Sequence, residues 1–299
     1  MTETLAQDSE SGAVFRMLAD HALGESPSIA ERRSRLERLT AALPMPEAVA
    51  VEPVALPRCG AELLVPAGAR PGRTLLFLRG GGFVTGSLAT HRALPARIGQ
   101  AAGARVLNVD YRLAPEHPFP AALDDARDAY AWLRGREAGR IALVGATTGG
   151  TLALGLLAAL RDAGEPLPVA AALLSPWTDL SGSARSLQTH AGRDPGLNAQ
   201  DVRELATLYL QGSDPRTPLA SPQFADVHGL PPLLIQVGSE EVLLDDSTHL
   251  ARWAEAGEVE TTLEVWPGMM HGWHQFWSML APARDAIDRI AAFLEPHWA

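Results

Sequence analysis

The pentapeptide Gly145-Ala146-Thr147-Thr148-Gly149 joins an apolar run, Ile141 to Val144, to the start of an apolar helix. It has the form of a nucleophile elbow, Gly-x-Ser-x-Gly, in which a sharp strand-to-helix turn lifts a hydroxyl above a sheet and the flanking glycines let the two segments pack closely. Here the central alcohol is threonine. The central residue of such a turn takes a positive φ, which strains any side chain and a β-branched one most. The chain must therefore supply a buried strand, a helix pressed against it, and a surrounding fold that holds a strained residue between them.

The rest of the sequence supplies that fold. Short apolar runs alternate with helical patterns, as in a mostly parallel sheet covered on both faces. Strands are expected at Leu63 to Val65, Leu75 to Leu78, Val106 to Asp110, Ile141 to Val144, Val169 to Leu174, Leu233 to Val237 and Thr262 to Trp266. Leu123, Ala126, Tyr130 and Leu133 mark one helix face, and Ala286, Ile287, Ile290 and Phe293 mark another in a final helix from Pro282 to Leu294. Two regions interrupt the alternation. Val14 to Leu23 and Ile29 to Leu43 predict helices ahead of any strand, and a helix over Ala199 to Leu210 sits among Gly- and Pro-rich loops between Ser181 and Pro231. With 299 residues and no linker or repeat, the expectation is one α/β domain.

Composition narrows the function. A formal charge of -10 disfavours nucleic acid, whose phosphates need a concentrated basic surface. No segment is long and apolar enough to span a bilayer, and the polar N-terminus lacks the pattern of a secretory signal, so no membrane partner and a cytoplasmic location are expected. Cys59 is the only cysteine, expected to be inert and structural; no disulfide, metal or other cofactor is implied, and the expected partner is a small-molecule substrate.

Three segments carry chemistry. Leu78-Arg79-Gly80-Gly81-Gly82-Phe83 follows a strand, where glycines allow backbone N–H groups to converge on one oxygen. Gly238-Ser239-Glu240-Glu241-Val242-Leu243-Leu244-Asp245-Asp246 follows a later strand, and Pro267-Gly268-Met269-Met270-His271-Gly272-Trp273 follows the last. The chain order alcohol, acid, histidine is that of a hydrolytic triad on an α/β sheet. His271 is the expected base.

With these segments, Asp110-Tyr111-Arg112-Leu113-Ala114-Pro115-Glu116-His117-Pro118-Phe119-Pro120-Ala121-Ala122, Ser175-Pro176-Trp177-Thr178-Asp179-Leu180 and Pro218-Leu219-Ala220-Ser221-Pro222, the chain resembles bacterial members of the hormone-sensitive-lipase-like family of α/β-hydrolases over nearly its whole length. The resemblance implies an α/β-hydrolase fold with a mostly parallel central sheet flanked by helices and a helical cap from residues 1–45 and 181–231. It implies a catalytic set of Thr147, Glu241 and His271, and an oxyanion hole of Gly81, Gly82 and Thr148. Glu241 is preferred over Glu240 because its register keeps Asp245 and Asp246 aligned with the family's acidic residues, and Glu240, Asp245 and Asp246 are expected to form a solvated turn. A homodimer through the last strand and helix is compatible with the family.

Four residues depart from that pattern. The family usually reads His-Gly-Gly-Gly and Gly-Asp-Ser-Ala-Gly; this chain has Arg79, Ala146, Thr147 and Thr148 at the altered positions. Arg79 brings a permanent cation, expected either to bind an anionic or carbonyl-bearing substrate or to form a structural salt bridge. Two reactions fit the residues: hydrolysis of a carboxylic ester, lactone or other acyl compound through an acyl-enzyme on Thr147, weak as a general esterase activity, or a non-hydrolytic elimination, dehydration or cyclisation in which His271 moves a proton. A silent small-molecule binding protein is a third reading, disfavoured by retention of both His271 and an acid.

Overall fold

The computed structural model describes residues 10–21, 27–136 and 139–298. Eight strands form one sheet: β1 (Val49–Ala55), β2 (Gly60–Pro66), β3 (Arg73–Leu78), β4 (Arg105–Asp110), β5 (Arg140–Ala146), β6 (Ala171–Leu174), β7 (Leu233–Gly238) and β8 (Thr261–Trp266). Their spatial order is β1-β2-β4-β3-β5-β6-β7-β8. The pairs β1/β2 and β2/β4 are antiparallel, and all later pairs are parallel. This is the α/β-hydrolase architecture expected from the sequence.

Alternation along the strands divides the core. Leu76 and Leu78 of β3, with Leu143 of β5 and Ile235 of β7, pack on helices α5 (Ala121–Arg134), α6 (Thr148–Asp162) and α9 (Leu244–Ala256). Leu75 and Phe77, with Val144 and Leu234, face the other way onto α4 (Ala93–Ala102) and α10 (Ala281–Leu294). Because successive strand side chains point to opposite faces, each central strand must be apolar throughout. Each fully buried leucine contributes roughly 1.5–3 kcal/mol relative to exposure.

The chain runs from β3 through α4 to β4, then returns to β5 on the other side of β3. The loops leaving β3 and β5 thus diverge, and a crevice opens at their carboxyl ends. The glycine-rich segment and the elbow leave from these two strands.

β1 escaped the sequence reading. Its burial is mostly that of an exposed edge, and Pro53 and Glu52 interrupt its apolar alternation; proline is tolerated there because one side of an edge strand needs no partner. The N-terminal helices are α1 (Glu10–Asp20) and α2 (Ile29–Thr40), shorter than expected at their C-terminal ends. Residues 22 and 23 of the first expected helix lie outside the described residues. α2 begins with a capping box, Ser28 accepting from the Glu31 N–H while the Glu31 side chain accepts from the Ser28 N–H. Val14 and Leu18 of α1 and Leu39 of α2 pack on Met269, Met270, Trp273 and Phe276, so these helices rest on the segment that carries His271. The short helices α3 (Leu88–His91) and α7 (Ser186–Thr189) and the longer α8 (Ala199–Leu210) complete the set of described α-helices. Among the described residues no helix is long and apolar enough to cross a membrane.

α6 approaches β3 and β5 closely because its first turn is glycine-rich. A Cβ on Gly145 would stand 2.5 Å from Gly149 O, and one on Gly149 would collide with Leu78 O. Gly149→Ala should therefore cost about 1–3 kcal/mol by overpacking. Urea unfolding followed by circular dichroism checks this; a midpoint equal to that of the unmodified chain would contradict the packing argument.

Candidate active site

Thr147 sits between β5 and α6 with φ 55° and ψ -114°. The turn is held on both sides: the Thr147 N–H donates to Leu174 O at 2.8 Å, and Thr147 O accepts from Gly150 N at 2.9 Å and from Trp177 N at 3.2 Å. Surrounding bonds thus fix a backbone conformation that threonine does not favour. Its hydroxyl lies toward Gly80, where an added Cβ would come within 2.8 Å of Oγ1.

The glycine-rich segment curls beside this turn. Gly81 and Gly82 have φ of 117° and 62°. A Cβ on Gly81 would run into Thr85 O, and one on Gly82 would meet Leu205 Cδ1 of α8 at 2.6 Å. Gly81 O accepts from the Val84 and Thr85 N–H groups, which closes the loop. Among the described residues no backbone carbonyl takes the N–H of Gly81 or Gly82, and the Thr148 N–H belongs to the unpaired first turn of α6.

The histidine and acid come together as expected. His271 Nδ1 is 2.8 Å from Glu241 Oε2, with Glu241 fully buried and the His271 side chain 11 % exposed. Glu241 Oε1 accepts from Ser175 Oγ at 2.6 Å and from Gly238 N at 2.6 Å, so both carboxylate oxygens are used. Burial alone would lower the pKa of His271, but the Glu241 hydrogen bond and the charges of Glu241, Asp194 and Asp246 outweigh it and raise the pKa. Thr147 and His271 line the same cavity, of about 470 Å³, together with Gly80, Gly81 and Gly82. No hydrogen bond joins their side chains among the described residues.

Of the two expectations for Arg79, the structure carries the salt bridge, to Asp110, and not the substrate contact. Its side chain is fully buried and does not line the cavity; it packs beneath the glycine loop, 4.1 Å from the centre of the Tyr111 ring. Nη1 donates to Thr85 O at 2.8 Å, and Nη2 to Tyr111 O at 3.2 Å and Asp110 Oδ1 at 3.4 Å. A guanidinium can satisfy several carbonyls at once, so here it ties the loop to the end of β4. Burial pushes the Asp110 carboxyl upward while the Arg79 charge opposes the shift.

The acidic turn also differs. Asp246 is buried rather than solvated: Oδ1 accepts from Thr178 N at 2.7 Å and Asp179 N at 2.9 Å, and desolvation pushes its pKa up to about 7. Asp245 accepts from Ser186 N at 2.9 Å. Glu240 is half-buried, as Asp245 is, accepting from Ser239 Oγ at 2.9 Å with Arg193 at 3.8 Å. These aspartates anchor the 178–186 segment to α9.

Three cavity residues gave no distinct signal in the sequence. Asp194 accepts from the His271 N–H at 3.2 Å and from Gly196 N at 2.9 Å, and burial pushes its pKa up to about 6. His91 lines the cavity beside the glycine loop and is held near pKa 3 by burial and the Arg79 charge. Trp177 follows Ser175, whose positive φ of 48° turns its hydroxyl to Glu241. Asp194-Pro195-Gly196 reads as an ordinary loop, and His91 as one histidine of nine. Cys59 is half-buried, its thiol pushed up to about 12 by burial and nearby carboxylates. Among the described residues no group of His, Cys, Asp and Glu could hold a metal ion.

Comparison with known proteins agrees with this geometry. A family model described as alpha/beta hydrolase fold matches residues 75–275. An acetyl-hydrolase of Streptomyces hygroscopicus is 49% identical over 243 residues, 81% of each chain. An esterase of Acinetobacter venetianus is 35% identical, covering 87% of each. The crystal structure of an esterase from the bacterial hormone-sensitive lipase family superimposes with a TM-score of 0.93 at 42% identity, covering 97% of this chain and 98% of that one. The chain belongs to the α/β-hydrolase fold family.

Because Glu241 favours the charged imidazole, the His271 pKa measured by NMR titration should stand above the ordinary histidine value of about 6.5 and fall in Glu241→Gln. The stabilising contribution of this pair is full below the unfolded-state pKa and is lost as pH rises through the folded one. An unchanged titration in Glu241→Gln would show that the pair is not electrostatically coupled.

Proposed function

We propose that the protein hydrolyses small carboxylic esters, with Thr147 as nucleophile, His271 as base and then acid, and Glu241 orienting His271. The observation that carries the proposal is the Glu241–His271 pair at 2.8 Å, facing one cavity with Thr147 and the glycine loop. Relatives named acetyl-hydrolase and esterase support the reaction class.

In this mechanism Thr147 Oγ1 comes within hydrogen-bond reach of His271 Nε2, gives up its proton there and forms a bond to the carbonyl carbon. The carbonyl oxygen gains charge and is held by the N–H groups of Gly81, Gly82 and Thr148. The tetrahedral adduct collapses, the alcohol leaves with the proton from His271, and water repeats the sequence to free the acid. Glu241, with both oxygens bonded, keeps the imidazole tautomer that presents Nε2 as acceptor. The N-terminal helices and the 181–231 segment act as the cap: Leu18, Leu36 and Leu39 on one side and Leu197 and Leu205 on the other line the cavity. The non-hydrolytic and silent-binding readings gain nothing from the hydrolases named above.

Steady-state kinetics on p-nitrophenyl acetate test the roles. Thr147→Ser should raise kcat about tenfold or more, by removing a methyl group that costs at least about 1.4 kcal/mol at the barrier. Thr147→Ala and His271→Ala should each lose nearly all turnover. Mass spectrometry of Thr147→Ser quenched during turnover should find acetyl on residue 147. Full activity in Thr147→Ala would overturn the acyl-enzyme mechanism.

A further inference from the structure

Two arginines of α2 line the cavity that holds Thr147 and His271, and their surroundings differ. Arg32 is committed to α8: Nη1 is 2.6 Å from Asp201 Oδ1, and Nη2 is 2.5 Å from Glu204 Oε2. Arg33, outside the cavity, forks onto Glu116 through two bonds of 2.8 Å. Among the described residues Arg35 has no such acid. Its Nε donates to His21 O at 2.6 Å, which anchors the guanidinium where α1 ends. Among the described residues, no carboxylate lies within ion-pair distance of it and no group accepts from Nη1 or Nη2.

Among the described residues the cavity has two carboxylates, and both are occupied. Asp201 is paired with Arg32, and Asp194 accepts the N–H groups of Gly196 and His271. Leu36 follows Arg35 in α2, and Leu18 and Leu39 line the same cavity. Burial draws the Arg35 pKa below the ordinary guanidinium value; the charge of Asp201 opposes this, and that of Arg32 adds to it. A partly desolvated cation with a free pair of donors gains most from a planar anion that it can hold through two parallel bonds.

We propose that Arg35 is the specificity-determining residue of the cavity, receiving a carboxylate carried by the substrate at the end remote from the ester. The preferred substrate class is then the hemiester of a dicarboxylic acid, with the scissile carbonyl at Thr147 and the free carboxylate at Arg35. This deepens the ester-hydrolase reading and rests on it for the reaction, but not for the binding. The chain as a whole carries a charge of -10, so attraction of an anion must be local to this guanidinium.

Kinetics on the monoethyl esters of succinate, adipate and suberate, each set against its neutral diethyl ester, measure the preference. In the unmodified enzyme, at least one hemiester should exceed its diester in kcat/KM. Arg35→Gln should reduce that ratio by about tenfold or more, chiefly through KM of the hemiester, as expected for loss of a charge-assisted bond; Arg35→Lys should restore part of it. Isothermal titration with succinate, adipate and suberate, which have no ester bond, reads binding independently: the unmodified protein should bind at least one, and Arg35→Gln should bind it at least tenfold more weakly at an unchanged melting temperature. If neither ester is hydrolysed but a dicarboxylate binds through Arg35, the hydrolase reading fails and the assignment of Arg35 stands. If esters are hydrolysed with the same hemiester-to-diester ratio in both proteins, or if no dicarboxylate binds, the assignment of Arg35 is overturned.

Discussion

The site depends on how closely α6 can approach β3 and β5. Gly145 and Gly149 face each other with no room for a Cβ, and Gly149 lies directly against Leu78 O. This contact turns the chain within one residue, which gives Thr147 its positive φ and leaves the Thr148 N–H at an open helix end. It also brings the loop after β3 against the same turn, because Leu78 is the last residue of that strand. Strained backbone, the unpaired N–H groups at the helix end and glycine loop, and cavity floor therefore follow from one steric constraint at the switch point of the sheet. Arg79, buried under the loop, holds the other side of the arrangement through carbonyls of Thr85 and Tyr111.

A second level of organisation is electrostatic. His271 is surrounded by carboxylates that differ in role: Glu241 bonds its ring, Asp194 bonds its backbone N–H, and Asp246 in the first turn of α9 acts through its charge. All three are buried, and each takes hydrogen bonds from the protein, without which a buried carboxylate is costly. The result is a histidine whose protonated form is favoured despite burial. That suits the role proposed for it, carrying a proton between the nucleophile and the leaving group.

The central strands and the position of His271 are legible because each rests on local pattern, apolar runs and a loop position after a strand, while Glu241 is singled out by the family resemblance. What escaped has no local signature. β1 reads poorly since an exposed edge needs neither continuous apolar residues nor a full set of donors. Asp246 was read as solvated because an acidic run resembles a turn, whereas tertiary contact with Thr178 and Asp179 buries it. For Arg79 the sequence leaves open both a substrate contact and a structural salt bridge, because a cation beside the glycine loop suits either. In three dimensions the side chain turns away from the cavity toward Tyr111, where carbonyls and an aromatic face receive it. Adjacency in the chain does not fix the direction of a long side chain.

The threonine itself is best understood as a problem of rotamers. A β-branched residue has few χ1 wells, and a positive φ restricts them further. The hydroxyl lies beside Gly80, which leaves space for it only because it has no Cβ. Proton transfer requires the oxygen to be within reach of His271 Nε2, and the methyl group must then take up other space in a crowded turn. Any free energy separating these arrangements adds to the barrier before bond formation begins, at about 1.4 kcal/mol for each tenfold in rate. The carboxylates around His271 stabilise the imidazolium as it forms but do not move the methyl group, so they leave that steric cost in place. In the proposed mechanism base strength and nucleophile access are set by different residues, so a fully formed Glu241–His271 pair is compatible with slow attack by Thr147.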